Sequence, residues 1–284
     1  MPCVRERRAR FAYRHDPDWE RSPLTSGAAE AVHGLWRRCF DVPVPPGGPV
    51  GQRLVFFSDL HWSRHDTRGS ENLIAQLNAT DADWVLFGGD LTHYLEHAPP
   101  TGEILSAIRA RRGKFAVLGN REAQHFWLPP QFWREFYGNT GFQLLVNESW
   151  VPPNDARLAF AGLDDCRHGH PEPASLAALA GSRRFVVLLC HSPDAIGHRP
   201  EHFLGHLILA GHTHGGQIRL PGWGPLYTSS AYGRQFDRGW HRRRQDGTRL
   251  YVTTGVGESG WVWVRHRLLC PPEIVVLNLV ENGS

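Results

Sequence analysis

Sulfur is scarce in this chain: 284 residues include one methionine and five cysteines. Cys3, Cys39, Cys166, Cys190 and Cys270 are odd in number, widely scattered and without a C-x-x-C pair. That argues against a disulfide framework and against a thiolate zinc site. Cys190 closes an apolar run and reads as a small core residue, and a reducing compartment fits such thiols best. Long hydrophobic runs are missing too. No stretch approaches the roughly 18–20 apolar residues of a membrane span, and the charged residues 1–22 contain no signal-peptide h-region. The expected compartment is therefore the cytoplasm. The N-terminal arginines read most plainly as a solvated leader, with peripheral contact at the inner membrane face as the other placement. Strong net charge is absent as well. Lys and Arg number 31 against 28 Asp and Glu, a balance of +3, too small to signal a nucleic-acid partner, and none is expected to bind specifically.

What the chain does have is histidine, seventeen in all, and enough apolar residues (41%) for a sizeable core. Residues 1–40 are basic and aromatic, with a helix read near Ala28–Phe40. Pro43-Val44-Pro45-Pro46-Gly47-Gly48-Pro49 then breaks regular structure. The chain accordingly divides into an N-terminal extension, 1–48, and a catalytic domain, 49–284.

From Arg53 onward one pattern recurs: a short apolar or β-branched run stops abruptly at a polar cluster. Arg53–Phe57 precedes Ser58-Asp59-Leu60-His61, and Trp84–Phe87 precedes Gly88-Gly89-Asp90. Phe115–Leu118 precedes Gly119-Asn120, Phe185–Leu189 precedes Cys190-His191, and Leu207–Ala210 precedes Gly211-His212-Thr213-His214. Each run has the length of a strand, and unbroken apolarity implies burial on both faces. Helical stretches are read at Glu71–Asn78, Glu103–Arg111, Gln131–Tyr137 and Ala174–Ala180, and further strands at Leu158–Ala161, Arg249–Thr253 and Ile274–Leu279. Strands alternating with helices predict an α/β architecture, here with two packed sheets. Functional groups in such sheets gather beyond the carboxyl ends of the strands.

Taken singly, most of these clusters are weak. D-x-H, Gly-Asp, Gly-Asn and a lone strand-end histidine are each more often turns or satisfied polar residues than ligands. Gly211–Gln217 is different, because two histidines one residue apart, flanked by glycines that admit close backbone approach, have little other structural purpose. The ordered set carries the inference. Asp59, His61, Asp90, Asn120, His191, His212 and His214 each follow a buried strand and predict a metal cage.

The series D-L-H, G-G-D, G-N, strand-end H and G-H-T-H resembles the calcineurin-like metallophosphoesterase superfamily, over about residues 50–280. The string Ala210–Pro221 (AGHTHGGQIRLP) resembles one bacterial branch, of membrane-associated phosphodiesterases and lipid-directed pyrophosphatases. Weaker echoes are Asn147-Glu148, Ala161–Asp165, His191–Asp194 and Pro271–Val275. The resemblance implies a four-layer α/β/β/α sandwich of two mixed sheets flanked by helices. It implies Asp59, His61 and His214 on one metal, Asn120, His191 and His212 on a second, and Asp90 bridging. Two divalent ions of manganese, iron or zinc suit this N/O ligand set better than magnesium or calcium. The implied reaction is hydrolysis of a phosphodiester, phosphomonoester or pyrophosphate by a hydroxide held between the ions, on a lipid-linked or nucleotide-linked substrate.

One residue departs from the family pattern. Where G-N-H-D or G-N-H-E is usual, this chain reads Gly119-Asn120-Arg121-Glu122. Arginine can pair with phosphate oxygens but cannot donate a proton at ordinary pH. The catalytic set is therefore Arg121 with Asp90 and His191, and three readings follow. The substrate has a leaving group that needs no proton, or His93, His125 or His65 supplies one, or the protein binds metal with weak or lost catalysis. A plain surface ion pair of Arg121 with Glu122 or a helix carboxylate is the alternative without function. Trp223, Tyr227, Tyr232 and Phe236 form either a substrate wall or ordinary sheet-edge packing. Arg238–Arg244 reads as a basic hairpin able to meet phosphate or anionic lipid, and Trp261 and Trp263 as either an apolar patch or packing.

Overall fold

A computed structural model describes residues 13–22, 27–62, 67–197, 204–259 and 266–282. The central apolar runs become the middles of two seven-stranded mixed sheets. In the first sheet, Arg53–Phe57, Trp84–Phe87, Gly113–Ala116 and Gln143–Leu144 run parallel. In the second, Leu158–Gly162, Phe185–Leu189, Leu207–Ala210 and Arg249–Val252 run parallel. Antiparallel strands complete each sheet: Glu148–Trp150, Gly239–Arg243 and Trp19–Arg21 at the ends of the second, Glu273–Glu281 inside the first.

Alternation along each strand builds the layers. Leu54, Phe56, Leu86 and Phe115 meet Phe160, Val187, Leu189 and Leu209 in the core between the sheets. Val55, Phe57, Val85 and Phe87 point outward onto three helices. Those helices are amphipathic at one-turn spacing: Leu73 and Leu77 in Thr67–Asn78, Thr101 and Leu105 in Ala98–Ala107, Trp133 and Tyr137 in Pro130–Asn139. Each large side chain so buried contributes about 1.5–3 kcal/mol. The outer layer of the second sheet is thinner. Ala174–Ala180, expected as an α-helix, belongs to a 3-10 helix at Pro173–Leu179, whose three-residue repeat brings Leu176 and Leu179 onto the sheet.

The expected helix at Ala28–Phe40 is not formed. Gly27–Val32 and Leu35–Val44 make a β-hairpin instead. His33 and Gly34 both have positive φ, 48° and 82°, as a two-residue hairpin turn of the I′ kind requires. Leu35–Val44 then runs parallel to Glu273–Glu281 over nine residue pairs, a tertiary pairing that overrides local helical preference. Residues on both sides of position 48 thus share the first sheet, and Trp19–Arg21 pairs into the second. Smaller differences have local causes. The second helix ends at Ala107 because Arg111 and Arg112 donate to the carbonyls of Ala82 and Asp83. The next strand starts at Gly113 rather than Phe115.

Candidate metal centre

All seven predicted ligands lie on one rim. Asp59 and His61 follow the strand ending at Phe57, Asp90 the strand ending at Phe87, and Asn120 the strand ending at Ala116. His191 follows Leu189, and His212 and His214 follow Ala210, in the facing sheet. The chain turns sharply here: Asp59, His61, Asp90, His212 and His214 all have φ between 43° and 69°. Non-glycine residues in this left-handed region cost free energy, and such strain gathers where side chains must converge.

They do converge. His61 Nε2 stands 3.0 Å from His214 Nε2, with Asp59 Oδ1 3.4 Å from the latter and Asp90 Oδ2 3.4 Å from the former. Beside them, His191 Nε2 lies 3.1 Å from His212 Nδ1, 3.2 Å from Asn120 Oδ1 and 3.4 Å from Asp90 Oδ1. Asp59, His61 and His214 form one cluster of metal-ligating type, and Asp59, Asp90 and His191 another, all buried. Asp90 therefore turns one oxygen toward each histidine pair. His191 Nδ1 donates to the Gly88 carbonyl at 2.8 Å, which turns Nε2 toward the cage.

The electrostatics fit a cation. Burial, with neighbouring imidazoles, drives His61 and His212 well below their ordinary range, and burial takes His214 down to about 4. Burial pushes Asp90 up to about 7, while Asp90 and Asp59 outweigh burial at His191 and hold it up at about 9. Lone pairs and carboxylates packed this closely are the donor set that divalent ions occupy.

Glycines and one glutamate shape the cage. A Cβ on Gly119 would collide with Asp90, and one on Gly211 with Asp59 and Ser58. Glu122, fully buried, accepts from the backbone N–H groups of Gly119 (2.7 Å), Asp90 (3.0 Å) and Leu91 (2.6 Å). Sequence reasoning quoted Glu122 within its motif but missed this positioning role, which depends on three N–H groups brought together only by the fold. Glu122→Gln is expected to lose about 1–3 kcal/mol of stability, because an amide NH2 replaces one acceptor among buried donors. Urea denaturation of the two proteins measures this, and equal midpoints would remove Glu122 from the account.

Arg121 makes no ion pair among the described residues, so the expected alternative of pairing with Glu122 is not realised. Its backbone N–H donates to Asp90 Oδ1 at 2.8 Å, its Nε is buried without a partner, and its charge is felt at His61. The guanidinium thus stands by the cage. Of the histidines named as substitute acids, His93 stacks on His61 with ring centres 4.4 Å apart. His125 has a buried Nδ1 without a partner, and His65 lies outside the described residues, as do Trp261 and Trp263. The aromatic loop divides in two. Tyr232 and Phe236 belong to the core with Trp19, whereas Trp223 (70% exposed) and Tyr227 (60%) face solvent. Asn147 is structural, its Oδ1 accepting from the backbone of Asp164 and Glu172. In Arg238–Arg244, Arg243 pairs with Asp246 and Arg244 with Glu20. Cys39, Cys166, Cys190 and Cys270 are free thiols.

Fold and rim together define a mixed α/β hydrolase of the metal-dependent kind. Residues 52–216 match the calcineurin-like phosphoesterase family over more than half the chain, and the protein belongs to that family. It is a metallophosphoesterase. It is 30% identical to the metallophosphoesterase YkuE of Bacillus subtilis over 84% of this chain and 82% of that protein. Phosphodiesterase YaeI of Escherichia coli shares 29% over 80% of this chain and 82% of its own length. UDP-2,3-diacylglucosamine pyrophosphatase LpxG of Chlamydia muridarum shares 32%, over 80% and 83%. No helix among the described residues is long and apolar enough to cross a membrane.

Proposed function

We propose that the chain hydrolyses a phosphoester whose leaving group needs no proton, a pyrophosphate-type bond above all, at a pair of divalent ions. The observation that carries this is the pair of imidazole contacts, His61 with His214 at 3.0 Å and His191 with His212 at 3.1 Å, with Asp90 between them. Asp59, His61, His214 and Asp90 would hold one ion, and Asp90, Asn120, His191 and His212 the other, with manganese, iron or zinc suiting these donors. Bound there, two divalent ions acidify water and offset charge on phosphoryl oxygens.

The remaining steps belong to side chains. Arg121 binds phosphate oxygens through its fork of N–H groups and stabilises the charge that builds on them, but keeps its own protons. Glu122 and Gly88 orient Asp90 and His191. A phosphate leaving group departs as a weak base and asks for no acid, which is why pyrophosphate and aryl esters suit this centre. LpxG, a pyrophosphatase by name, supports that choice. Leu220, Trp223, Leu226, Tyr227, Leu268 and Leu269 are exposed, and the bridge between Ile218 and Leu268 sets them side by side. This apolar surface supports a lipid-linked substrate and peripheral membrane contact, with a nucleotide-linked substrate as the other class. The reading of a metal-binding protein with lost catalysis is not favoured, because all the candidate ligands are kept in place.

The test is metal content together with rates on matched esters. The metal-loaded protein is expected to cleave pyrophosphate diesters and bis-p-nitrophenyl phosphate about 10²-fold or more faster than alkyl phosphodiesters, the range that general-acid help would otherwise cover. Equal rates on alkyl esters would overturn the leaving-group argument.

A further inference from the structure

A cavity of about 360 Å³ is lined by residues of both sheets, away from the candidate ligands. Arg21, Trp240 and Tyr251 line it from one sheet and Arg38 and Phe40 from the other, with Arg238 preceding the strand that carries Trp240. Gly215, the residue after His214, lies beside two of the lining residues: a Cβ there would come 2.6 Å from Cys270 Sγ, 2.9 Å from Thr254 Cγ2 and 3.4 Å from Arg238 Cδ.

Three guanidinium groups and a single carboxylate, Glu273, share this cavity. Glu273 is already engaged, by Arg38 Nε at 2.6 Å, Tyr251 at 2.9 Å and Thr253 at 3.0 Å. Arg21 pairs with Asp237, which also binds Arg219 at 2.7 Å. Arg238 has no carboxylate partner for its side chain among the described residues, and its Nη1 reaches the Leu269 carbonyl at 3.4 Å. Burial and then the Arg238 charge lower the pKa of Arg21, so the two guanidinium groups lie close enough to feel one another. The Trp240 Nε1–H is buried and has no hydrogen-bond partner, in a residue 6% exposed. A buried donor left unmade costs free energy that a ligand acceptor would recover. The unsatisfied groups are thus donors, and the walls beside them are aromatic, Trp240 meeting Phe40 and Tyr251 edge-on at 5.4 and 4.9 Å.

We propose that this cavity binds an anion, a phosphate, phosphonate or carboxylate group on an aromatic or compact apolar body, through Arg238 and the Trp240 N–H. Its source is either the distal part of a phosphoester substrate or a separate small molecule. The site does not depend on metal ligation, since none of its residues belongs to the cage.

Calorimetry of the full-length, metal-loaded protein with phenylphosphonate, which cannot be hydrolysed, tests it. Two classes of binding are expected, one at the metal centre and one in the cavity. Arg238→Ala should abolish the second and keep the first. Trp240→Phe, which retains a ring and drops the N–H, should weaken it by about tenfold, as for a lost hydrogen bond to a charged group. Bound metal and circular dichroism check that each variant is folded. A protein that fails to take up metal would show one class, still sensitive to Arg238, so failure of the metal centre reads differently from failure of this site. A KM raised about tenfold by Arg238→Ala at unchanged kcat, which is about 1.4 kcal/mol of lost binding, assigns the anion to the substrate. An unchanged KM assigns it to a separate molecule. Binding that neither substitution alters, or no binding outside the metal centre, overturns the proposal.

Discussion

Asp90→Asn is expected to lower kcat/KM by about 10³-fold or more, because bound ions contribute several kcal/mol to charge stabilisation and each 1.36 kcal/mol is tenfold in rate. The reason is geometric. Asp90 places Oδ2 3.4 Å from His61 and Oδ1 3.4 Å from His191, so a single carboxylate serves both halves of the cage. Asparagine keeps the shape and the bond accepted from the Arg121 N–H, but turns one arm into an NH2 that cannot ligate and removes a charge. Metal analysis of the purified variant should show fewer bound ions per chain alongside the lost rate. Full metal content and full turnover in this variant would end the assignment of Asp90 as the shared ligand.

Arg121→His tests the other half of the argument, and its effect should depend on the ester. With an alkyl leaving group, an imidazole at this place supplies the proton that the guanidinium withholds, and a gain of about 10²–10⁴-fold is expected. With p-nitrophenyl or pyrophosphate leaving groups the gain should vanish or reverse, since the charge that Arg121 holds near the phosphoryl oxygens is lost. A plot of log rate against leaving-group pKa reads this directly: steep for the native chain, flatter for the variant. The variant should also slow above the histidine pKa, where the imidazole has no proton to give. A uniform fall across all esters would show that Arg121 acts through charge alone and that no acid is missing.

Much of this centre could be read from residues alone because of how it is built. Strands buried on both faces leave unbroken apolar runs, and five of these runs stop at a candidate ligand, as Phe57 does before Asp59 and Ala210 before His212, whereas Leu158–Gly162 and Arg249–Val252 do not. The hairpin at 27–44 left no comparable mark. Its pairing partner is more than two hundred residues away, and its exposed first strand lacks the alternation that announces a half-buried one. Only His33-Gly34, a pair able to take positive φ, hinted at it. Glu122 was unreadable for a related reason. A buried carboxylate that gathers N–H groups from two loops is defined by the meeting of those loops. Arg121 was legible as a departure, but that it forms no ion pair with Glu122 and that its backbone N–H donates to Asp90 needed coordinates.

The place of Glu273–Glu281, parallel to Leu35–Val44 on one side and antiparallel to Arg53–Phe57 on the other, has a consequence for how the protein is made. Until the last strand is made, residues 53–56 sit on a raw edge with unpaired backbone groups, the kind of template that recruits other chains. A segment made late must therefore slot into the middle of a sheet whose other strands are made first. Ribosome-bound chains stalled before position 273 are therefore expected to stay protease-sensitive in the first sheet, however complete their histidine loops.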